Sequence, residues 1–486
     1  LQFYLSITSD PQRLCYSEIK VIKLKPKTVY TLGLVVLILL LPAIWLRGGF
    51  RSLYLDLDTA RDLGELSSIW LGKIVWLGPA LSSGFHITSL YYYLFYPALW
   101  LAGGNARAII VFNMVLAAAA LGWFGWLGKK RFQPAFLLAM AAIGLTPWWQ
   151  KISLYPGNGH TYAIFLLAGL TALWRQAPFW LSSLLIGIAV AFHPAAIFAV
   201  PILLYEWWSK KQDYLKNFLF MALGLIAPWA PYLIFIIITR GYWLRHSFTE
   251  PSLVVQFSLN FKKNLENLVL LSNLSGFQLI WFVLVWLGIG LTESIKRLKI
   301  WYGLTSLFLV LLLFVAPLAD RYLFGILALV SWIVGLSLAT KKWGWLVLVL
   351  AVIILGIRTA TTPLEVMDRS IPVLESRIQT LIEQGYIRKE QKLAVLTALK
   401  GKKNVTPPGG AAPQSHDYRF FLRTKGYQAL EVPDYAQADV LIMVLEDPTF
   451  DWHTWRSWEI SEFGVKELRL ETMIEQAKVV VFDKKR

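Results

Sequence analysis

The stretch YLDLDTARDLGEL, Tyr54 to Leu66, carries four acids and one arginine, and it begins shortly after the first long apolar run of the chain ends. On a helix, Asp58, Arg61, Asp62 and Glu65 fall at i, i+3, i+4 and i+7 and share one face. Asp56 lies on the opposite face if the helix already includes it, and on the face of Asp58 if that segment is extended. One use of this pattern is structural: Asp58 or Thr59 caps a juxtamembrane helix and Arg61 pairs with Glu65. The other is chemical. A carboxylate at a membrane surface, beside an apolar groove, can meet a lipid-linked substrate and take a proton from it. Ionisable groups near a membrane are costly and often functional, and this location favours the chemical reading.

The elements that must hold these groups follow from hydropathy. Of the 486 residues, 56% are hydrophobic, and the mean hydropathy is +0.53. Apolar runs bounded by charge lie near 29–46, 107–127, 134–149, 161–174, 178–192, 195–208, 217–238, 277–295, 301–317, 322–339 and 343–357. They predict an all-α polytopic membrane domain over 29–358 with about eleven spans. The 23 Trp and 20 Tyr suit bilayer interfaces. Residues 1–28 form a basic N-terminus without a signal-peptide pattern, so the run after them reads as an uncleaved first span. Leu90–Ala102 is short, aromatic and interrupted by Pro97. Read as interfacial or re-entrant, it leaves the basic loops on one side, as the positive-inside rule asks; read as a span, it sets the N-terminal cluster against the rest. The first topology puts the loop 47–106, the loop 240–276, His193, Asp320 and Arg321 on the non-cytoplasmic side.

From Thr359 onward, 18 basic residues balance 18 acidic ones, so the net charge of +17 belongs to the membrane part. Basic loops beside spans report topology rather than nucleic acid. Residues 359–486 read as a small soluble α/β domain: Val366–Gly385 is an amphipathic helix, KLAVLTAL, ADVLIMVLE and AKVVVFD are strands, and DYRFFLRTKGY is helical between them. The single cysteine, Cys15, allows no internal disulfide and no cysteine-based zinc site. No phosphate-binding loop and no internal repeat is visible.

The succession of ARD, then GPALSSGFHITSLYYY, then SLYPGNGH, AFHPAAIFAVP and DRYLFGI resembles the GT-C membrane glycosyltransferases, the superfamily of the protein O-mannosyltransferases and the aminoarabinose transferase of lipid A. The resemblance covers roughly residues 29–340 in order and spacing. It implies an inverting transfer of a sugar from a polyprenyl-phosphate donor to a lipid, glycan or protein acceptor, at the outer face of a bacterial cytoplasmic membrane. By the same resemblance Asp58 is the acid that activates or orients the acceptor. The leaving phosphate needs cationic and hydrogen-bonding groups, and the candidates are Arg61, Lys151, His193 and Arg321, arginine being suited to bidentate contact. Asp56, Asp62 and Asp320 are the remaining acids of the site. Asn158 shapes the acceptor pocket or makes a turn. Tyr91 and Tyr92 stack on sugar, line the lipid groove or belong to an interfacial aromatic belt.

Each of these has a plainer alternative. Arg321 can pair with the adjacent Asp320, Lys151 can snorkel to the interface, and His193, followed by Pro194, can close a helix end. Asp58 and His193 with His86 and His160 lack the spacing of a metal site, so a divalent metal is unsupported. The chain departs from the family pattern in placing ITS rather than prolines before LYYY, and in having no acid in KISLYPGNGH. Two other function classes fit a polytopic chain. A transporter or lipid flippase requires ionisable groups near mid-span, whereas here they cluster at span ends; a non-catalytic scaffold requires no acids in the first loop.

Overall fold

The computed structural model describes residues 25–55, 57–80, 86–131, 133–210, 213–241, 259–364, 367–399, 415–455, 457–464 and 466–485. Asp56, Cys15 and the Gly/Pro-rich stretch 401–413 lie outside the described residues.

Each apolar run read from the sequence is helical. Among the described residues, six helical segments are long and apolar enough to cross a membrane: Pro26–Trp45 (α1), Arg107–Lys129, Tyr214–Ile238, Lys296–Phe314, Asp320–Thr340 and Gly344–Thr361. A bent pair, Phe261–Ser275 and Leu279–Thr292, makes a seventh if counted as one span. The chain is thus a multi-pass membrane protein. The other runs form shorter helices, because proline removes a backbone donor and resets φ where it falls. Pro147 splits the third run into Pro134–Leu145 and Pro147–Leu154, and the sixth opens as a 3₁₀ turn at Pro194–Ala199 before Val200–Ser209. Leu90–Leu101 is a helix of 12 residues, too short to span alone.

The segment read as the long loop 240–276 is corrected in part: 261–275 is a helix. The Asn260 side chain accepts from Lys263 N at its start, and Gly276, with φ of 92°, ends it. Two of its polar residues, Asn264 and Asn267, are buried and bond inside the bundle. Asn267 Nδ2 donates to Leu312 O and Val315 O at 3.2 and 2.9 Å, and Asn264 Nδ2 to Leu313 O at 2.8 Å. An 85° bend then leads into Leu279–Thr292.

At one end of the bundle the segment after the first span forms helix α2, Leu57–Trp70, followed by a two-stranded hairpin of β1 (Leu77–Ala80) and β2 (His86–Thr88). Ala60, Leu63, Leu66 and Ile69 bury one stripe of α2, which is the amphipathic periodicity expected of it. The C-terminal residues pack on this same end. Their five-stranded sheet consists of β3 (Lys392–Ala398), β4 (Gln428–Ala429), β5 (Val440–Leu445), β6 (Lys466–Ile474) and β7 (Ala477–Lys484), in the order β4-β3-β5-β7-β6. The β3 pairings are parallel, and those of β7 with β5 and β6 antiparallel. The helices Ile371–Glu383 and His416–Thr424 accompany the sheet. The three strands read from sequence are buried; β6 alternates charges along a mostly exposed edge and gave no hydrophobic signal.

At the other end of the bundle, Glu206 is 3% exposed. Arg297 grips it through Nε and Nη2 at 2.6 and 2.7 Å and also donates to Leu173 O and Trp174 O, while Trp301 Nε1 donates to Glu206 at 2.9 Å. These bonds tie together three helices. Removing one partner of a buried pair costs about 3–5 kcal/mol, so Glu206→Ala is expected to lower the thermal midpoint in detergent by well more than Glu206→Gln, which retains hydrogen-bonding groups. Equal losses would show that the charge is not holding the helices.

Candidate functional site

Six chain segments deliver the site, among them the helices Leu90–Leu101, with Tyr91 and Tyr92, and Pro147–Leu154, with Lys151. Asp58 lies in the first turn of α2. Asn158 opens the helix Asn158–Trp174, Asp320 opens Asp320–Thr340, and His193 closes Phe179–Phe192. Three helix N-termini therefore converge, and each contributes partial positive charge.

Asp58 is held between two guanidiniums. Arg61 Nη1 donates to its Oδ1 at 3.0 Å, and Arg321 Nη1 donates to its Oδ2. The carboxylate of Asp58 is still one-third exposed, and so is Arg321. Arg61 does not pair with Glu65 as its i+4 spacing allows. It instead turns to Asp62, with Nε and Nη2 at 3.2 and 3.0 Å from Oδ1, and to Asn158 Oδ1 at 3.2 Å. Nor does the Arg321 side chain pair with its neighbour Asp320. Asp320 accepts the Arg321 backbone N–H at 2.8 Å and takes the Lys151 ammonium as its ion-pair partner.

Asp62 faces inward and is 1% exposed. It accepts the backbone N–H of Asn158 at 3.2 Å and faces the Tyr92 hydroxyl at 3.4 Å. Burial pushes its carboxyl up to about 6 even though Arg61 and Asn158 pull the other way. Glu65 is also raised to about 6, by burial and then by Glu431 and Asp62. The Tyr91 and Tyr92 rings are fully buried. As placed, they form neither an open stacking platform nor an interfacial belt. Tyr92 backs Asp62, and Tyr91 donates to Pro156 O at 2.7 Å, fixing the turn before Asn158.

Asn158 does more than make that turn, since its Nδ2 also donates to Phe192 O at 3.1 Å, beside His193. His193 Nδ1 accepts the Ala195 N–H at 3.2 Å, so the neutral ring carries its proton on Nε2. Tyr162 stacks on the ring at a centroid distance of 4.9 Å. Gly159 lies between His193 and Arg321: a Cβ there would sit 3.4 Å from Arg321 Cδ and 3.8 Å from His193 Cδ2. Asp58, Arg61, Asp62, Tyr91, Tyr92, Lys151, Asn158, His193, Asp320 and Arg321 thus surround one locus. Asp56 lies outside the described residues.

Tyr162 was not singled out in the sequence. Its hydroxyl donates to Arg321 O at 2.8 Å and accepts the Gly325 N–H at 2.6 Å, locking the first turn that carries Arg321; a tyrosine in an apolar run gives no signal of this. His86 belongs to the hairpin, with Nδ1 2.8 Å from Gly78 O, and His160 lies against Phe324. Among the described residues no three His, Cys, Asp or Glu side chains gather as a metal-holding group.

The raised Asp62 carboxyl has a signed consequence. The native chain retains this proton up to about pH 6, whereas the unfolded chain loses it near the ordinary value of 3.8. The stability it contributes is full below that window and is lost as pH rises through about 6. Two pKa units correspond to about 3 kcal/mol. Thermal melts of Asp62→Asn are expected to fall less steeply with pH between 4 and 7 than those of the wild type. Parallel profiles would contradict the assignment.

No family model matches the chain, and no curated protein matches it. Solved structures do. ArnT from Cupriavidus metallidurans bound to undecaprenyl phosphate superposes with a TM-score of 0.59 at 10% identity, covering 93% of this chain and 98% of that one. The apo state of the same protein gives 0.58 at 12%, covering 94% and 98%. The chain shares the fold of these ArnT structures over nearly its whole length.

Proposed function

We propose that the protein is an inverting glycosyltransferase that moves a sugar from a polyprenyl-phosphate donor to an acceptor hydroxyl at the outer face of a bacterial cytoplasmic membrane. One observation carries this reading: an accessible carboxylate, Asp58, paired with an accessible guanidinium, Arg321, where three helix N-termini meet at one end of a membrane bundle. Helix N-termini and arginine favour a phosphate. A carboxylate beside it suits the proton transfer that the acceptor needs. The undecaprenyl phosphate bound to ArnT supports a donor of that class.

In the free protein Arg321 is bound to Asp58, so the site satisfies its own charges. An arriving phosphate competes for Arg321, with Lys151 and the His193 Nε2–H as further donors. That exchange releases one oxygen of Asp58 towards the acceptor hydroxyl, while Arg61 keeps the other oriented. The acceptor oxygen then attacks the anomeric carbon from the side opposite the phosphate. The C–O bond to the phosphate breaks with its electron pair leaving on oxygen, and the acceptor proton passes to Asp58. Polyprenyl phosphate and the glycosylated acceptor with inverted configuration result, and the proton on Asp58 is returned to solvent. Positive charge developing at the anomeric carbon is steadied by the adjacent carboxylate.

Removal of a general base typically costs about 10²–10⁴ in rate. Asp58→Asn is therefore expected to cut release of polyprenyl phosphate from a radiolabelled donor panel by at least about 10²-fold, measured in single turnover with membrane acceptors. Equal turnover by mutant and wild type would remove Asp58 from the mechanism. Arg321→Lys keeps a cation but loses the fork geometry, and is expected to weaken donor binding more than Lys151→Arg does, as read by donor titration.

A further inference from the structure

We infer that the C-terminal α/β unit is a positioning part of the catalytic centre, clamping both ends of the helix that carries Asp58. This rests on the reading of Asp58 as the working carboxylate. The first clamp lies three residues before Asp58. Leu55 N donates to Arg369 O at 2.8 Å, and Arg369 Nε returns a bond to Leu55 O at 3.3 Å. The Arg369 side chain is 2% exposed and is itself fixed by Asp417 and by Glu446, the latter at 2.6 Å. Glu446 is shared with Arg377 and the Tyr418 hydroxyl. Just upstream, Met367 N donates to Arg51 O at 2.9 Å. The backbone leading into α2 is therefore bonded to the chain that follows the last membrane helix.

The second clamp lies beyond Asp62. Gly64 packs against the helix His416–Thr424 so closely that a Cβ would sit 2.8 Å from His416 Nδ1. One turn on, Ser67 Oγ accepts from Arg423 Nη1 at 3.2 Å, and Arg423 is paired with Glu431 at 2.6 Å. Asp58, Arg61 and Asp62 lie between the two clamps, on a helix with no freedom to slide. Such buried ion networks gain little net stability over apolar packing, and their best-attested use is to fix register. Register is what a base needs, because a displacement of about 1 Å can cost on the order of 10²-fold in rate. A unit serving only to dock the acceptor would have no need to bond the backbone of Leu55.

The test uses the full chain. Arg369→Lys keeps the buried charge but cannot reach Leu55 O, Asp417 and Glu446 together. It is expected to speed amide exchange in residues 57–66 by about tenfold and to lower kcat by about 30-fold, within the range for a misplaced group, with undecaprenyl phosphate binding and KM for the acceptor within about threefold of wild type. Ser67→Ala, which removes one hydroxyl and leaves the fold intact, gives a smaller loss of the same kind. Unchanged kcat in both Arg369→Lys and Ser67→Ala would overturn the inference, as would a change confined to acceptor KM. Failure of the underlying reading is seen separately: Asp58→Asn would turn over like wild type whatever the exchange data show.

Discussion

The pairing of Asp58 with Arg321 is the interaction on which the site depends. It joins the first turn of α2 to the first turn of the helix Asp320–Thr340, elements more than 250 residues apart. An exposed ion pair of this kind contributes little to stability, because water and salt screen it and two long side chains must be held still. Its value lies in what can replace it. A guanidinium bound to a carboxylate is ready to bind a phosphate of the same charge and similar geometry. The charged groups bonded to it are paired in turn: Arg61 bridges Asp58 and Asp62, and Lys151 neutralises Asp320. An anion entering here displaces an existing partner without having to create a charge in an apolar setting.

Holding that arrangement requires rigid support on every side. Tyr162 fixes the backbone of Arg321, Tyr91 and Asn113 fix the turn and short helix before Asn158, and Asn158 links α2 to the end of Phe179–Phe192. The C-terminal unit completes the enclosure with arginines that are almost wholly buried, namely Arg369, Arg377, Arg419 and Arg423. Removing so many charges from water is expensive unless each is paired with good geometry. Arg369 meets that condition with Asp417 and Glu446, and Arg423 with Glu431; Arg377 and Arg419 share Glu446 and Glu431 at 3.3 and 3.6 Å and donate to the Tyr418 and Tyr435 hydroxyls.

Much of this was legible in the chain, for identifiable reasons. Apolar runs mark helices because length and hydropathy are local properties. The i, i+3, i+4, i+7 spacing from Asp58 to Glu65 placed the acids on one face because helix geometry is also local. Three sheet strands were visible because both of their faces are buried. What escaped depended on partners distant in sequence. Asp62 turns inward because Asn158 and Tyr92 receive it, and Arg61 chooses Asp62 over Glu65 for the same reason. The helix Phe261–Ser275 was hidden by Asn264 and Asn267, polar residues satisfied by carbonyls some 50 positions later. His416 and Arg423 are ordinary surface-helix residues until the helix they lie on meets Gly64 and Ser67.

The central claim is that Arg321 exchanges Asp58 for the phosphate of a polyprenyl donor, and binding measures this most directly. Titration of undecaprenyl phosphate into wild-type protein and into Asp58→Asn, in the same detergent and at low salt, removes the internal competitor without touching the arginine. The account predicts that both bind and that Asp58→Asn binds several-fold tighter. Absence of binding to either protein, or weaker binding by Asp58→Asn, would contradict it.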